Sequence, residues 1–207
     1  MGSAAYNSGP APNSGQIPQA VKILIAGGFA VGKTTLVNSV SEIEPLTTEE
    51  NITVASVGTD NLTGVERKTT TTVALDFGRL SFPRENLVLY LFGTPGQDRY
   101  WFMWDELSKG SLGAVVMVDT RRLEDSFAAI EFFSHRGIRY LVAVNQFAGG
   151  FHYEPEEVRD ALTIEPHVPI VLCDARDPRS ATNVLVRLIE YVIASYTSQS
   201  TLASARI

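Results

Sequence analysis

A glycine-rich loop near the N-terminus constrains this chain more than any other feature. Residues 27–35 read Gly-Gly-Phe-Ala-Val-Gly-Lys-Thr-Thr, which fits the pattern G-x-x-x-x-G-K-[ST] at Gly27, Gly32, Lys33 and Thr34. The apolar run 21–26 before the loop predicts a buried strand, and residues 35–40 predict the start of a helix. A strand, a glycine loop and a helix in this order indicate a phosphate-binding site rather than an incidental turn.

Each residue type in this loop has a physical role. The glycines let the backbone curl until successive N–H groups converge on phosphate oxygens, and the helix start adds the positive end of its dipole. Lys33 supplies a mobile positive charge for the outer phosphates, and the Thr34 hydroxyl can ligate Mg²⁺. We therefore expect contacts to a nucleotide from Gly27, Gly28, Phe29, Ala30, Val31, Gly32, Lys33, Thr34 and Thr35.

Length and composition narrow the class of protein. A chain of 207 residues fits one domain, and we expect a flexible leader over 1–20, a globular domain over 21–196 and a polar tail over 197–207. The net charge of −6 argues against a nucleic-acid-binding surface. A single cysteine fits a reducing cytoplasm. No apolar run reaches the length of a membrane span, so we expect membrane contact only through a partner.

The hydrophobic pattern predicts an α/β fold. Apolar runs typical of strands alternate with helical periodicity, which favours a mostly parallel sheet with one antiparallel edge strand and helices on both faces. Beyond the first strand we predict strands over 71–80, 87–92, 113–118, 140–144 and 169–173, and helices over 123–136, 155–162 and 181–196. The polar stretch 42–68 is expected to be a long functional loop. In such sheets the loops at the carboxyl ends of the strands form the site.

Two further sets of loops lie at such strand ends. Residues 93–97, Gly-Thr-Pro-Gly-Gln, resemble the Asp-x-x-Gly-Gln motif of Ras-like small GTPases, which implies that the Gly96 N–H contacts a γ-phosphate and Gln97 orients the attacking water. Residues 145–148 resemble the guanine-reading Asn-Lys-x-Asp, and 173–176 resemble the Ser-Ala-Lys base loop. The resemblance adds to the expected nucleotide contacts Gly96, Asn145, Gln146, Asp174, Ala175 and Arg176.

As a whole, the chain resembles bacterial Ras-like small GTPases, above all those of actinobacterial conservon operons, which are related to the gliding-motility GTPases. The resemblance is carried by residues 27–35, 68–79, 91–97, 118–122 and 172–176. It implies a P-loop NTPase fold of the Ras-like type and a GDP/GTP signalling switch with Mg²⁺ as cofactor and slow, partner-stimulated hydrolysis. It also implies a roadblock-type regulatory partner, with a sensor kinase, a cytochrome P450 or a pentapeptide-repeat protein of the same operon as further candidates.

Two residues depart from the small-GTPase pattern. Gly93 replaces the Asp that holds Mg²⁺ through water, so we expect one fewer anchor for the metal. Ala148 replaces the Asp that binds the guanine ring, which removes charge-assisted hydrogen bonds worth about 1.5–3 kcal/mol each. These departures leave a second reading open, a nucleotide-dependent scaffold that scarcely hydrolyses and has relaxed base specificity. A P-loop kinase or ATPase is a third reading, disfavoured because no acid follows Phe92 and no lid-like Arg cluster is found.

The threonine run 69–72 carries the expected first switch. By register with the gliding-type relatives we choose Thr72 as the second Mg²⁺ ligand beside Thr34, with Thr71 and Thr70 as alternatives. The expected catalytic set is Gln97, Lys33 and Thr72. Either Arg67 or Lys68 could act as an arginine finger in cis, although a solvated loop charge is the simpler expectation.

Five large apolar residues, 100–104, directly follow the Gln97 segment. A helix cannot direct five consecutive side chains into the core, so some of them must be exposed. An exposed aromatic cluster beside a switch is typical of a protein interface. We therefore expect a partner to bind Tyr100, Trp101, Phe102 and Trp104.

Overall fold

The computed structural model describes residues 17–44, 46–54, 69–96 and 101–204. Within these residues the strands are β1 Gln19–Gly27, β2 Leu46–Val54, β3 Thr69–Phe82, β4 Leu87–Gly93, β5 Ser111–Val118, β6 Tyr140–Asn145 and β7 Ile170–Cys173. They form one sheet in the order β2-β3-β4-β1-β5-β6-β7. Strand β3 runs antiparallel to both of its neighbours, and the strands β4, β1, β5, β6 and β7 are parallel. The predicted α/β fold is thereby confirmed.

Helices cover both faces of this sheet. They are α1 Lys33–Val40, α2 Trp101–Ser108, α3 Phe127–His135, α4 Pro155–Leu162 and α5 Pro178–Ser204, with a short 3-10 helix Leu123–Ser126 before α3. Helices α1 and α5 pack on one face, and α2, α3 and α4 on the other. No helix within the described ranges combines the length and the apolar character needed to cross a membrane.

Strand β1 lies at the centre of the sheet and explains the apolar run before the glycine loop. Its residues Ile23 and Ile25 join the core under α1 and α5, whereas Leu24 and Ala26 join the core on the opposite face. Successive side chains of a strand point to opposite faces, so a strand covered on both sides is apolar throughout. This burial holds the end of β1, and therefore the loop that follows, in a fixed place.

The stretch predicted as a loop over 42–68 contains an additional strand. Strand β2 pairs antiparallel with β3, with Leu46 opposite Phe77 and Val54 opposite Thr69. This edge of the sheet is therefore β2, and the strand predicted over 71–80 lies inside it. The mixed polarity of residues 46–54 conceals the strand, because its pairing is decided by the free edge of β3 rather than by a local pattern. Arg67 and Lys68 lie outside the described residues.

Helix boundaries differ from the prediction at two places. The predicted helix from 123 begins as a 3-10 turn and becomes α-helical only at Phe127, while Gly137, with φ 64°, follows its end as expected. Helix α5 begins at Pro178 and continues to Ser204, through residues expected to form a polar tail. Its apolar positions pack inward as far as Val192, which is buried.

From Trp101 onward, the aromatic run expected to bind a partner lies on α2, and the expectation was wrong for Trp104. This side chain is only 2% exposed, because its ring stacks on Phe133 at 6.1 Å between centroids and meets Phe132 edge-on at 5.2 Å. Trp104 is therefore part of the core. Tyr100 and the side chains of Trp101 and Phe102 lie outside the described part of the chain, so their partner role stays a prediction.

Candidate functional site

The glycine loop connects β1 to α1 as predicted. Gly27 and Gly32 have φ values of 131° and 106°, a region that strongly favours glycine. A Cβ at Gly27 would collide with the Met117 carbonyl oxygen, and one at Gly32 would lie 2.6 Å from Asn145 Nδ2. Among the described residues no side chain caps the start of α1. The first N–H groups of the helix are thus left for an anion.

Lys33 extends back across the loop. Its ammonium donates hydrogen bonds to the carbonyl oxygens of Gly27 at 3.0 Å and Gly28 at 2.6 Å. Burial lowers the pKa of Lys33 to about 8, and the charge of Asp76 partly opposes that shift. A phosphate group in the loop would favour the protonated form, so the lysine has the charge and the position to bind one.

The structure identifies a carboxylate that sequence reasoning did not assign to the site. The Thr34 hydroxyl donates to Asp76 Oδ2 at 2.6 Å, and Asp76 is only 8% exposed. Asp76 lies on β3 directly opposite Gly93 of β4, and a Cβ at Gly93 would lie 2.9 Å from Asp76 Oδ2. The lost acid at 93 is therefore matched by an acid on the neighbouring strand, for which the glycine leaves room.

These oxygen groups fit a magnesium ion. Mg²⁺ prefers hard oxygen ligands and keeps several waters, so one hydroxyl and one nearby carboxylate suffice on the protein side. Thr34 would be the direct ligand and Asp76 the anchor for its waters. The expectation of one fewer anchor for the metal stays a prediction, and Asp76 is a candidate for the missing acid. The sequence feature that could have identified Asp76 was an acid on the strand that pairs with Gly93. The side chain of Thr72 is outside the described residues; its backbone lies on β3 opposite Asn51.

The loop after β4 reaches the phosphate loop, as the motif predicts. Thr94 is held by a hydrogen bond from its N–H to the Ile25 carbonyl at 2.8 Å. Two residues later, a Cβ at Gly96 would lie 2.6 Å from Lys33 Nζ and 2.8 Å from the Gly28 carbonyl oxygen. The Gly96 backbone thus packs directly against the residues that would hold phosphates. Gln97 lies outside the described residues.

Asn145 joins the predicted base loops to the phosphate loop. Its Nδ2 donates to the Val31 carbonyl at 3.0 Å, and its Oδ1 accepts the Ala175 N–H at 3.1 Å. The Gln146 N–H donates to the Cys173 carbonyl at 2.7 Å. These bonds bring the loops after β1, β6 and β7 together at one edge of the sheet.

The base loops contain an ion pair between Arg176 and Asp174 and an exposed alanine, Ala148. Arg176 donates to both carboxylate oxygens of Asp174, at 2.9 and 2.8 Å, and this holds the pKa of Asp174 down to about 2. Gln146 is hydrogen-bonded to the ring of His152 at 2.6 Å. Ala148 is exposed and offers no acceptor for a base.

The loop after β5 also contacts the phosphate loop, and sequence reasoning gave it no site role. Arg122 donates to the Phe29 carbonyl at 2.9 Å. Arg121 forms a two-pronged ion pair with the buried Asp119, at 2.9 and 2.7 Å, and its guanidinium lies 4.1 Å from the Phe147 ring centre. The sequence feature that could have identified this loop was an Asp followed by two Arg, directly after a buried strand. Arg122 brings a cation beside the phosphate loop.

Comparison with known proteins agrees with this geometry. A family model described as "Conserved hypothetical ATP binding protein" matches residues 25–195. An uncharacterised protein of Methanocaldococcus jannaschii is 30% identical over 128 residues, 61% of this chain and 70% of that protein.

Solved structures of similar fold are G domains. The G domain of the T. maritima FeoB iron transporter has a TM-score of 0.58 at 18% identity, over 84% of this chain and 99% of that chain. The cytosolic domain of that transporter in a GDP form has a TM-score of 0.59 at 18% identity, over 84% of this chain and 64% of that chain. At this identity the likeness shows the fold.

Replacing Lys33 tests the phosphate loop. We expect Lys33→Ala to abolish measurable nucleotide binding, because the variant removes the ammonium of this loop. We expect the melting temperature to stay nearly unchanged, because within the described residues the Lys33 hydrogen bonds go to carbonyls of the same loop. Calorimetric titration with GDP and ATP, together with thermal melting, measures both. Unchanged nucleotide affinity would contradict the assignment of this loop.

The facing pair Asp76 and Gly93 allows a test of the acid's position. We expect Asp76→Asn to reduce the Mg²⁺-dependent part of nucleotide affinity by about tenfold, the worth of one charge-assisted contact, and to leave affinity in EDTA unchanged. The double variant Asp76→Gly/Gly93→Asp returns the acid from the opposite strand and should recover part of the Mg²⁺ effect. An equal loss with and without Mg²⁺ would exclude a metal role for Asp76.

Proposed function

The chain belongs to the family of conserved hypothetical ATP binding proteins, with a nucleotide-binding P-loop fold, and on that premise we propose that it is a GTP-dependent switch with slow intrinsic hydrolysis. The observation that carries the proposal is the contact between two phosphate loops. Lys33 spans the first loop, and the Gly96 backbone of the second lies against Lys33 and Gly28. A group bound to Lys33 must therefore meet Gly96, which is the arrangement needed to sense an outermost phosphate.

Hydrolysis in this proposal is the attack of water on the γ-phosphorus, with cleavage of its bond to the β,γ-bridging oxygen. Lys33 and the loop N–H groups hold the phosphates, and Gln97 orients the water. Bound Mg²⁺ would neutralise phosphate charge; Thr34 and Thr72 are its proposed ligands, and Asp76 accepts hydrogen bonds on the Thr34 side of the site. Intrinsic turnover is slow in this proposal because no arginine finger is assigned within the chain. Where such a residue occurs, it accelerates hydrolysis by about 10³–10⁵. Arg122 bonds instead to Phe29 and pairs with Asp119 and Asp125.

The choice of guanine rests on the base loops. Residues 145–148 and 173–176 resemble the base loops of small GTPases, and the similar FeoB cytosolic domain is described in a GDP form. The second candidate is a nucleotide-dependent scaffold with relaxed base specificity. It is favoured by two observations, the absence of an acid at Ala148 and the family's description as ATP binding.

A switch needs a partner that reads it. We propose a roadblock-type regulatory protein that recognises Tyr100, Trp101 and Phe102 and accelerates hydrolysis, as in a conservon-type signalling system. A sensor kinase, a cytochrome P450 or a pentapeptide-repeat protein of the same operon is a further candidate, and membrane contact would pass through such partners. These assignments rest on the resemblance of residues 68–79 and 91–97 to that group of GTPases.

Base competition tests the nucleotide class. We expect a wild-type preference for GDP over ADP of less than about a thousandfold, and a rise of about tenfold or more in Ala148→Asp, because one charge-assisted bond to guanine returns. Ala161→Asp makes the same change at an exposed position of α4 and should have no effect. A wild-type preference above a thousandfold would refute relaxed specificity, and a preference for ADP would refute the GTP switch.

Gln97 provides the test of hydrolysis. We expect Gln97→Leu to lower single-turnover phosphate release by about tenfold or more, because the attacking water loses its orienting group, while GTP affinity stays near that of the wild type. Rapid-quench measurements on the purified chain, made at several protein concentrations, give the single-turnover rate and the GTP affinity separately. Equal rates in both proteins would remove Gln97 from the mechanism.

A further inference from the structure

A buried hydrogen bond connects α2 to the loop that follows β4. The Trp104 indole Nε1–H donates to the Pro95 carbonyl oxygen at 3.1 Å, and the indole is 2% exposed. A buried indole N–H needs a partner, and a carbonyl on its own helix or on a strand would satisfy it equally well. Here the partner is the residue directly before Gly96, so this bond reaches the second phosphate loop.

The three residues after β4 have little freedom to move independently. Thr94 is tied to Ile25 of β1 through its N–H, at 2.8 Å. The ring of Pro95 restricts its own φ, and the Pro95 carbonyl is held by Trp104. Gly96 then abuts Lys33 and Gly28 at a distance that only a residue without a Cβ permits. Trp104 therefore helps to hold Gly96 over the phosphate loop, because it bonds to the carbonyl of the preceding residue, Pro95.

Helix α2 is in turn fastened to α3. The Trp104 ring stacks on Phe133 and meets Phe132 edge-on inside the core. On the surface, Arg136 Nε donates to Asp105 Oδ1 at 2.8 Å, and the Arg136 guanidinium lies 3.8 Å from the Phe132 ring centre. A displacement of the Pro95 carbonyl must therefore either break its bond to Trp104 or move the Trp104 ring within this packing.

We propose that Trp104 is a positioning residue for recognition of the outermost phosphate, resting on the proposed function above. Its indole N–H holds the Pro95 carbonyl, so that the Gly96 turn and α2 respond to that phosphate as one unit. A tryptophan that only filled the core would stabilise the fold but would leave the choice between triphosphate and diphosphate untouched.

Trp104→Phe separates these two roles, because phenylalanine keeps a ring against Phe133 and removes the donor. We expect the affinity ratio of a non-hydrolysable GTP analogue to GDP to fall about two- to tenfold, the worth of one hydrogen bond, while GDP affinity changes by less than about twofold. Arg187→Ala is the control: it breaks a surface hydrogen bond to Glu190 within α5, away from the contact between α2 and α3, and should leave the ratio unchanged.

A second measurement needs no nucleotide. In the free protein, hydrogen exchange at the Thr94 amide, which bonds to Ile25 directly before Pro95, should be about two- to tenfold faster in Trp104→Phe than in wild type, whereas exchange within α5 should be unchanged. An unchanged Thr94 exchange rate, or an equal loss of affinity for both nucleotides, would overturn the positioning role. If the wild type binds no guanine nucleotide, the proposed function fails, and the exchange rates still decide whether Trp104 positions Gly96.

Discussion

The phosphate site depends on glycines that let neighbouring segments of the chain approach one another closely. A Cβ at Gly32 would meet Asn145, one at Gly93 would meet Asp76, and one at Gly96 would meet Lys33. Each contact joins two elements that are distant in the chain, so the missing side chains let the loops at this edge of the sheet pack against one another. Backbone groups can then surround an anion more closely than side chains could.

The parallel centre of the sheet makes these contacts geometrically inevitable. Strands β1, β4, β5, β6 and β7 all end at the same edge, and their last residues are followed by the site loops. Asn145 uses both polar atoms of its side chain to fix this arrangement, one on Val31 and one on Ala175. Its role in the structure is thus to join loops, and any contact with a base depends on that framework.

The relocation of an acid shows how sheet register can replace a sequence motif. Asp76 and Gly93 are partners in the antiparallel pair β3 and β4, and the Asp76 carboxylate accepts a hydrogen bond from the Thr34 hydroxyl. An Asp on one strand and a Gly on the other are complementary, because a side chain at 93 would occupy the space that the Asp76 carboxylate uses. Along β4 alone the motif lacks its acid at Gly93. The pairing with β3 places the carboxylate of Asp76 beside the same position.

The amino-acid sequence by itself determined the α/β class and the phosphate loop at Gly27 to Thr34, because these depend on local periodicity and on glycines at fixed spacing. The approach of Gly96 was expected from the resemblance of residues 93–97 to the motif of small GTPases. It failed where partners distant in the chain decide the outcome. Strand β2 exists because β3 offers it a free edge, Asp76 belongs to the site because it faces Gly93, and Trp104 is core because Phe132 and Phe133 receive its ring. A run of aromatic residues indicates only that some are exposed. The packing of α2 on α3 decides which one is buried, since burial depends on surfaces that meet only in the folded chain.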